Sequence, residues 1–247
     1  MSTIAVGDIH GNVAALSDLL SQLAGRVAND DVVVFLGDYI DRGADTKGCV
    51  DAILAFAEHT PASVVCLRGN HEDWMLRTAH DYTRHSWLLG MGAIETIQSY
   101  SPEAAQLLLA AVKEAGLRLY LERSPLPYGV FFDAMPPAHR KFFDRLALCH
   151  ETADCVCSHA GLNPSRALLS EQTAEDLVWG HEEFPAEYRG NQLVVYGHRN
   201  CRELGDDGWP KLRINGRTFG IDTISHGVLT AMRFPGQQVI RSGRHPC

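Results

Sequence analysis

The run Val32-Val33-Val34-Phe35-Leu36-Gly37-Asp38-Tyr39-Ile40-Asp41-Arg42-Gly43 decides the fold. Its first five residues are apolar and mostly β-branched or aromatic, as in a strand buried on both faces. Gly37 ends the run and frees the backbone to turn. Asp38 then stands at the mouth of a buried strand, with Asp41 and Arg42 three and four residues further on. A buried carboxylate is unfavourable unless a cation or hydrogen bonds meet it. The rest of the chain must therefore supply a partner for Asp38.

Upstream, residues 3–6 form a short apolar run that leads into Gly7-Asp8-Ile9-His10-Gly11. Asn12 is placed to cap a helix whose Leu16, Leu19, Leu20, Leu23 and Val27 share one face. Downstream, Val50, Ile53, Leu54 and Ala57 mark a second amphipathic helix, with Asp45 or Thr46 as its cap. Residues 64–67 read as a third buried strand, followed by Arg68-Gly69-Asn70-His71-Glu72. Strand, helix, strand, helix, strand predicts a βαβαβ unit with right-handed crossovers. Open α/β sheets carry their sites at the carboxyl ends of strands, so Asp8, His10, Asp38, Asn70 and His71 are expected on one rim.

Residues 73–150 are expected to be a helical insert, with a helix opening at Ser101-Pro102-Glu103 and stopping at Gly116, and a short strand pair near 130–132. The strand pattern resumes at 155–157, followed by Ser158-His159-Ala160-Gly161, and at 193–196, followed by Gly197-His198. Residues 219–223 and 227–234 are read as antiparallel strands closing a second sheet.

Composition narrows the class. The chain has 247 residues, 45% hydrophobic and 21% charged, which is ordinary for a globular protein. A formal charge of -8 argues against nucleic acid or an anionic membrane as partner, since both favour a basic surface. Seven cysteines without a Cys-x-x-Cys pair suit a reducing, cytoplasmic setting. The first residues show no basic-then-apolar leader, and no apolar run nears the roughly 20 residues of a spanning helix.

Collected, the strand ends offer Asp8, His10, Asp38, Asn70, His159 and His198. This mixed nitrogen and oxygen set suits divalent manganese first, then iron or zinc. Six ligands exceed one open site and suit two ions about 3.5–4 Å apart, with Asp38, from the middle strand, as the bridge. Two divalent ions outweigh the charges of Asp8, Asp38 and a bridging hydroxide, leaving a positive site that favours a phosphate. Singly, each of these residues reads more simply as a turn or capping group; together they specify a metal centre.

Gly-Asp-Ile-His-Gly, Gly-Asp-Tyr-Ile-Asp-Arg-Gly, Arg-Gly-Asn-His-Glu, His-Ala-Gly and Tyr-Gly-His occur in that order. In these blocks the chain resembles the calcineurin-like metallophosphoesterases, and within them the bacterial and phage serine/threonine phosphoprotein phosphatases, a branch that includes diadenosine tetraphosphatases. The resemblance implies a four-layer α/β/β/α sandwich of two mixed sheets, one domain over residues 1–247 with the insert at about 73–150. It implies a phosphomonoesterase acting on phosphorylated protein, peptide or a small phosphoester, with bis(5'-nucleosyl)-tetraphosphate hydrolysis as the alternative and a non-catalytic scaffold as a distant third. A metal-bridging hydroxide would attack in line. Asp8, His10 and Asp38 would hold one ion, and Asp38, Asn70, His159 and His198 the other. His71 would be the general acid, steered by Asp41, and Arg42 would grip the phosphate. Relatives often carry Trp-Ile-Arg where this chain has Trp179-Gly180-His181, so His181 or Arg199 would supply the second clamp. The other histidines (59, 80, 85, 139, 150, 226, 245) are read as surface or incidental, and Trp74, Trp87 and Trp179 as packing.

Overall fold

The chain's β-branched runs pair first with one another. β1 (Thr3–Val6), β2 (Val32–Phe35) and β3 (Ser63–Cys66) lie parallel, with Ile4 opposite Val33 and Val34 opposite Val65. The intervening segments form α1 (Val13–Ala24) and α2 (Thr46–His59). Asn12 caps α1 by accepting from the Ala15 N–H at 3.0 Å, and Asp45, not Thr46, caps α2 by accepting from Gly48 at 2.7 Å. α1 ends before Val27, which packs half-buried beyond the helix. The computed structural model describes residues 2–212 and 216–246.

After β3 come α3 (Asn70–His80), α4 (Ser86–Gly90), α5 (Ala93–Tyr100), α6 (Pro102–Ala115), α7 (Arg118–Leu121), α8 (Gly129–Ala134) and α9 (Pro137–Asp144). Ser101 caps α6 and Gly116 terminates it, as the sequence predicts. Residues 130–132 do not form the expected strand pair; they lie in α8, where Phe131 packs its ring 5.4 Å from Trp87 and 5.8 Å from Tyr100. Packing between helices overrides the β preference of this aromatic run. His85 and His139, read as surface or incidental, are buried: His85 meets the Tyr128 hydroxyl at 3.1 Å, and His139 bridges the Tyr100 hydroxyl and Asp51 at 2.7 and 2.9 Å.

β4 (Cys149–Glu151) pairs antiparallel with β5 (Val156–Ser158), so the insert stops short of 150. α10 (Ala174–Val178) follows, then β6 (Val194–Tyr196) and β7 (Thr218–Gly220), both running parallel to β5. β8 (Thr230–Phe234) leaves this sheet and pairs antiparallel with β1, and β9 (Gln238–Arg241) pairs with β8. The tail therefore departs from expectation. Its first run extends the second sheet in parallel, and its second run completes the first sheet, giving orders β3-β2-β1-β8-β9 and β4-β5-β6-β7.

Alternation along the strands builds the layers. Ile4, Val6, Val33 and Phe35 face α1, α2 and the insert helices. Ala5, Val34, Met232 and Phe234 face the other way and meet Cys157, Val195 and Phe219 of the second sheet. The outer face of that sheet, Val156, Val194 and Tyr196, packs on Leu177 of α10 and on Phe184. Helix, sheet, sheet, helix is the predicted four-layer α/β/β/α order. Among the described residues no helix is long and apolar enough to cross a membrane.

Candidate metal centre

Parallel pairing sends the carboxyl ends of β1, β2 and β3 to one edge, and those of β5 and β6 likewise. Asp8, Asp38, Asn70, His159 and His198 all lie one to four residues beyond these ends. His10, Asp38, Asp41, Arg42 and His198 adopt left-handed backbone, with φ of 45, 52, 69, 69 and 62°. Such conformations are unfavourable for non-glycine residues and concentrate where side chains must be aimed. Two glycines make room for the carboxylates: a side chain at Gly69 would collide with Asp38, and one at Gly197 with Asp8.

Asp38 sits at the centre. Its carboxylate oxygens lie 3.5 Å from His10 Nε2, 3.4 Å from His159 Nε2 and 3.9 Å from His71 Nε2. Ligand atoms of His10, Asp38 and His71 fall within 4.8 Å of one another, as do those of Asp38, His159 and His198, so Asp38 is common to both groups. The first group contains His71 where the resemblance implies Asp8. Asp8 lies beside them, its Oδ2 accepting from the His198 N–H at 2.9 Å.

The tautomers are held by backbone carbonyls. His10 Nδ1 meets Ile40 O at 2.9 Å, and His159 Nδ1 meets Leu36 O at 3.0 Å. Each ring then turns an unprotonated Nε2 inward, the form that binds metal. Burial is the main cause that pushes His10 down to about 3 and His198 down to about 4, and it lowers His159 as well. His159 Nε2 lies 3.0 Å from Asn70 Oδ1, so two buried acceptors face each other. His198 Nδ1 approaches the same oxygen at 2.9 Å. Asp8 Oδ1 is buried with no hydrogen-bond partner among the described residues. Burial, then Asp222 and Asp38, drive the Asp8 carboxyl upward. Facing acceptors and an orphaned carboxylate oxygen are satisfied by cations, and this donor set fits divalent ions.

Around this centre stand groups with proton and anion chemistry. His71 Nδ1 donates to Asp41 Oδ2 at 2.7 Å. Asp41 is fully buried and also accepts from Trp87 Nε1 at 2.9 Å and from Thr96 Oγ1 at 2.7 Å. Burial pushes the His71 ring down, but Asp38 and Asp41 more than offset it and leave the ring raised. Arg42 spans the site, donating from Nη1 to His10 Nε2 and from Nη2 to His71 Nε2, each at 2.9 Å. Arg199 donates to the His181 carbonyl at 2.8 Å while its buried Nε has no partner among the described residues. The His181 ring turns toward Glu183, 3.8 Å away. Of the two expected clamps, Arg199 carries the unspent donor and His181 supplies its anchor.

Four participants escape the sequence pattern. Glu72, fully buried, accepts the backbone N–H groups of Asp38, Tyr39 and Gly69 at 2.9 Å and of Ile40 at 3.3 Å. It pins the Asp38 turn to the start of α3, where Asn70 and His71 lie. It stands in the block Arg-Gly-Asn-His-Glu, which was its only signal. Trp87 and Thr96 hold Asp41 from within the insert, and nothing in their spacing marks them. Asp222, two residues beyond β7 and buried, is pushed up to about 7 by burial and by Asp38.

The model of the calcineurin-like phosphoesterase family matches residues 1–227. The bis(5'-nucleosyl)-tetraphosphatase PrpE [asymmetrical] of Anoxybacillus flavithermus is 25% identical, over 95% of this chain and 91% of its own length. The Saccharomyces cerevisiae serine/threonine-protein phosphatase PP1-1 is 33% identical, over 31% of this chain and 24% of its own. A solved structure described as a candidate diadenosine tetraphosphatase superposes with a TM-score of 0.63 at 20% identity, covering 97% of this chain and 92% of that one. A Saccharomyces cerevisiae protein serine/threonine phosphatase structure gives a TM-score of 0.54 at 17% identity, covering 100% and 81%. With the family model spanning nearly the whole chain and the fold shared, this protein belongs to the calcineurin-like phosphoesterases.

Proposed function

We propose that this chain is a dinuclear metal-dependent hydrolase of dinucleoside polyphosphates. The sequence alone ranks phosphorylated proteins and peptides first; the end-to-end match to a bis(5'-nucleosyl)-tetraphosphatase, against a partial match to a protein phosphatase, supports the reverse order. The observation that carries the chemistry is the convergence of His10, His159, His198, Asn70 and the orphaned Asp8 oxygen around Asp38. Asp8, His10 and Asp38 would hold one ion and Asp38, Asn70, His159 and His198 the other. When bound, the ions acidify water near neutral pH and offset the charge of phosphoryl oxygens.

The chain's own groups do the rest. Arg42, whose fork now spans His10 and His71, would be released toward the phosphate were His10 Nε2 to hold a cation. That would free His71 Nε2 to carry a proton to the leaving oxygen, with Nδ1 fixed on Asp41. Arg199, anchored on the His181 carbonyl, is the second clamp. The free thiols, with Cys49, Cys155, Cys157 and Cys201 buried, suit a reducing, cytoplasmic setting.

The test is hydrolysis of diadenosine tetraphosphate against a phosphothreonine peptide, with p-nitrophenyl phosphate as a neutral reporter, across manganese, iron and zinc. Preference for the dinucleotide is expected. Asp38→Asn should reduce metal content by more than one ion per chain, since one carboxylate serves both groups. Faster peptide turnover would return the protein-phosphatase reading, and two retained ions in Asp38→Asn would break the ligand assignment.

A further inference from the structure

A cavity of about 660 Å³ opens between α3, α4 and α7, lined among others by Trp74, Arg77, Arg84, Trp87, Gly90 and Arg123. That volume lies within the roughly 300–1,000 Å³ of small-molecule sites. Two contacts join it to the metal centre. Trp87, in its wall, donates its indole N–H to Asp41. Trp74 packs on Trp179, with ring centroids 4.8 Å apart, and the next residue, Gly180, adjoins the Arg199 guanidinium.

The wall chemistry is selective. Trp74 is half-buried with Trp179 on one side, and Gly90, whose Cβ would touch the ring at 3.7 Å, places no side chain against it. Three guanidinium groups border the cavity in a chain whose formal charge is -8. Arg77 is spoken for by Asp73 at 2.8 Å and Glu175 at 3.4 Å. Arg84 pairs with Asp81, also in the cavity wall, at 3.3 Å, and Arg123 forms no ion pair among the described residues. A half-buried indole beside two exposed guanidiniums, one of them without an ion pair among the described residues, is the chemistry of a planar aromatic carrying phosphate.

We propose that this cavity binds a nucleoside phosphate, its base against Trp74 and its phosphates on Arg84 and Arg123. Resting on the function proposed above, this is the half of a dinucleoside polyphosphate that lies away from the metals. Arg84→Glu/Arg123→Glu tests it. Both side chains are exposed and lie outside the hydrolytic machinery, so p-nitrophenyl phosphate turnover should stay within about twofold, reporting an intact fold. The full chain should bind ADP calorimetrically in chelator, and the variant about tenfold or more weakly. KM for diadenosine tetraphosphate should rise by a similar factor, with kcat unchanged. Equal ADP affinity in both proteins, or none in either, overturns the site. So does a variant that loses a phosphothreonine peptide while keeping ADP. ADP binding that depends on the two arginines, without tetraphosphate turnover in the parent protein, would keep the site and remove the function proposed above.

Discussion

Glu72→Gln is the sharpest test of how this centre is assembled. Each Glu72 oxygen accepts two backbone N–H groups, Oε2 those of Asp38 and Gly69 and Oε1 those of Tyr39 and Ile40. Glutamine keeps one oxygen and replaces the other with a donor. Two buried N–H groups then face an NH2 group, whichever way the amide turns. Each unsatisfied buried donor costs about 1–3 kcal/mol. Removing a buried charge gives some relief, since burial, with Asp38, pushes the Glu72 carboxyl up to about 8. The expected net loss is about 2–4 kcal/mol. It should appear as a lower urea midpoint with an unchanged m-value, and as a Tm lower by about 5–15 °C.

The measurement is done in chelator, so that metal binding does not contribute to stability. Glu175→Gln is the control: that carboxylate is exposed and meets Arg77 at 3.4 Å, so its loss should stay within about 0.5 kcal/mol. A second readout is divalent-ion affinity, because Glu72 holds the Asp38 turn against Asn70 and His71. A Glu72→Gln loss no larger than the control's would refute the view that this carboxylate pins the two turns together.

Other consequences follow from the same geometry. His71→Asn should lower turnover of alkyl phosphates by about 10²–10⁴ and of p-nitrophenyl phosphate far less, as removal of a general acid requires; equal losses on both would take that role from His71. Arg42→Ala should bind manganese at least as tightly as the parent, because Arg42 now occupies His10 Nε2, while KM for phosphoesters rises; weaker metal binding in calorimetry would contradict this competition. Stability should also fall in acid through Asp31. Burial pushes this carboxyl up, but the Ala28 and Ser2 N–H groups and Arg233 at 3.0 Å outweigh it and hold Asp31 below the usual carboxylate range. A folded pKa below the unfolded one, about 3.9, stabilises above that pH and is lost as pH falls through the folded value. Urea midpoints from pH 6 to 2 should therefore fall less for Asp31→Asn than for the parent, and parallel curves would exclude the effect.

The ligands were legible because one local rule repeats. A strand, a glycine within three residues of its end, then a candidate ligand: Gly7-Asp8, Gly37-Asp38, Gly69-Asn70 and Gly197-His198 all obey it. The rule is physical. Parallel strands bring their carboxyl ends together, and a turn that aims a side chain back across a sheet edge needs backbone without a Cβ. Gly220-Ile221-Asp222 follows nearly the same rule, yet reading it as part of an antiparallel strand hid Asp222, and only the observed β6–β7 register restores it to the rim. The insert has no such rule. Thr96 and Trp87 reach Asp41 across 55 and 46 residues, through packing that no periodicity encodes. This illegible part is also where specificity would reside. Trp87 presents its N–H to the carboxylate that orients His71 and forms part of the wall of the cationic cavity. The proposed proton delivery and the proposed recognition of the departing group would therefore share one indole, and an insert of different sequence on the same frame would change both together.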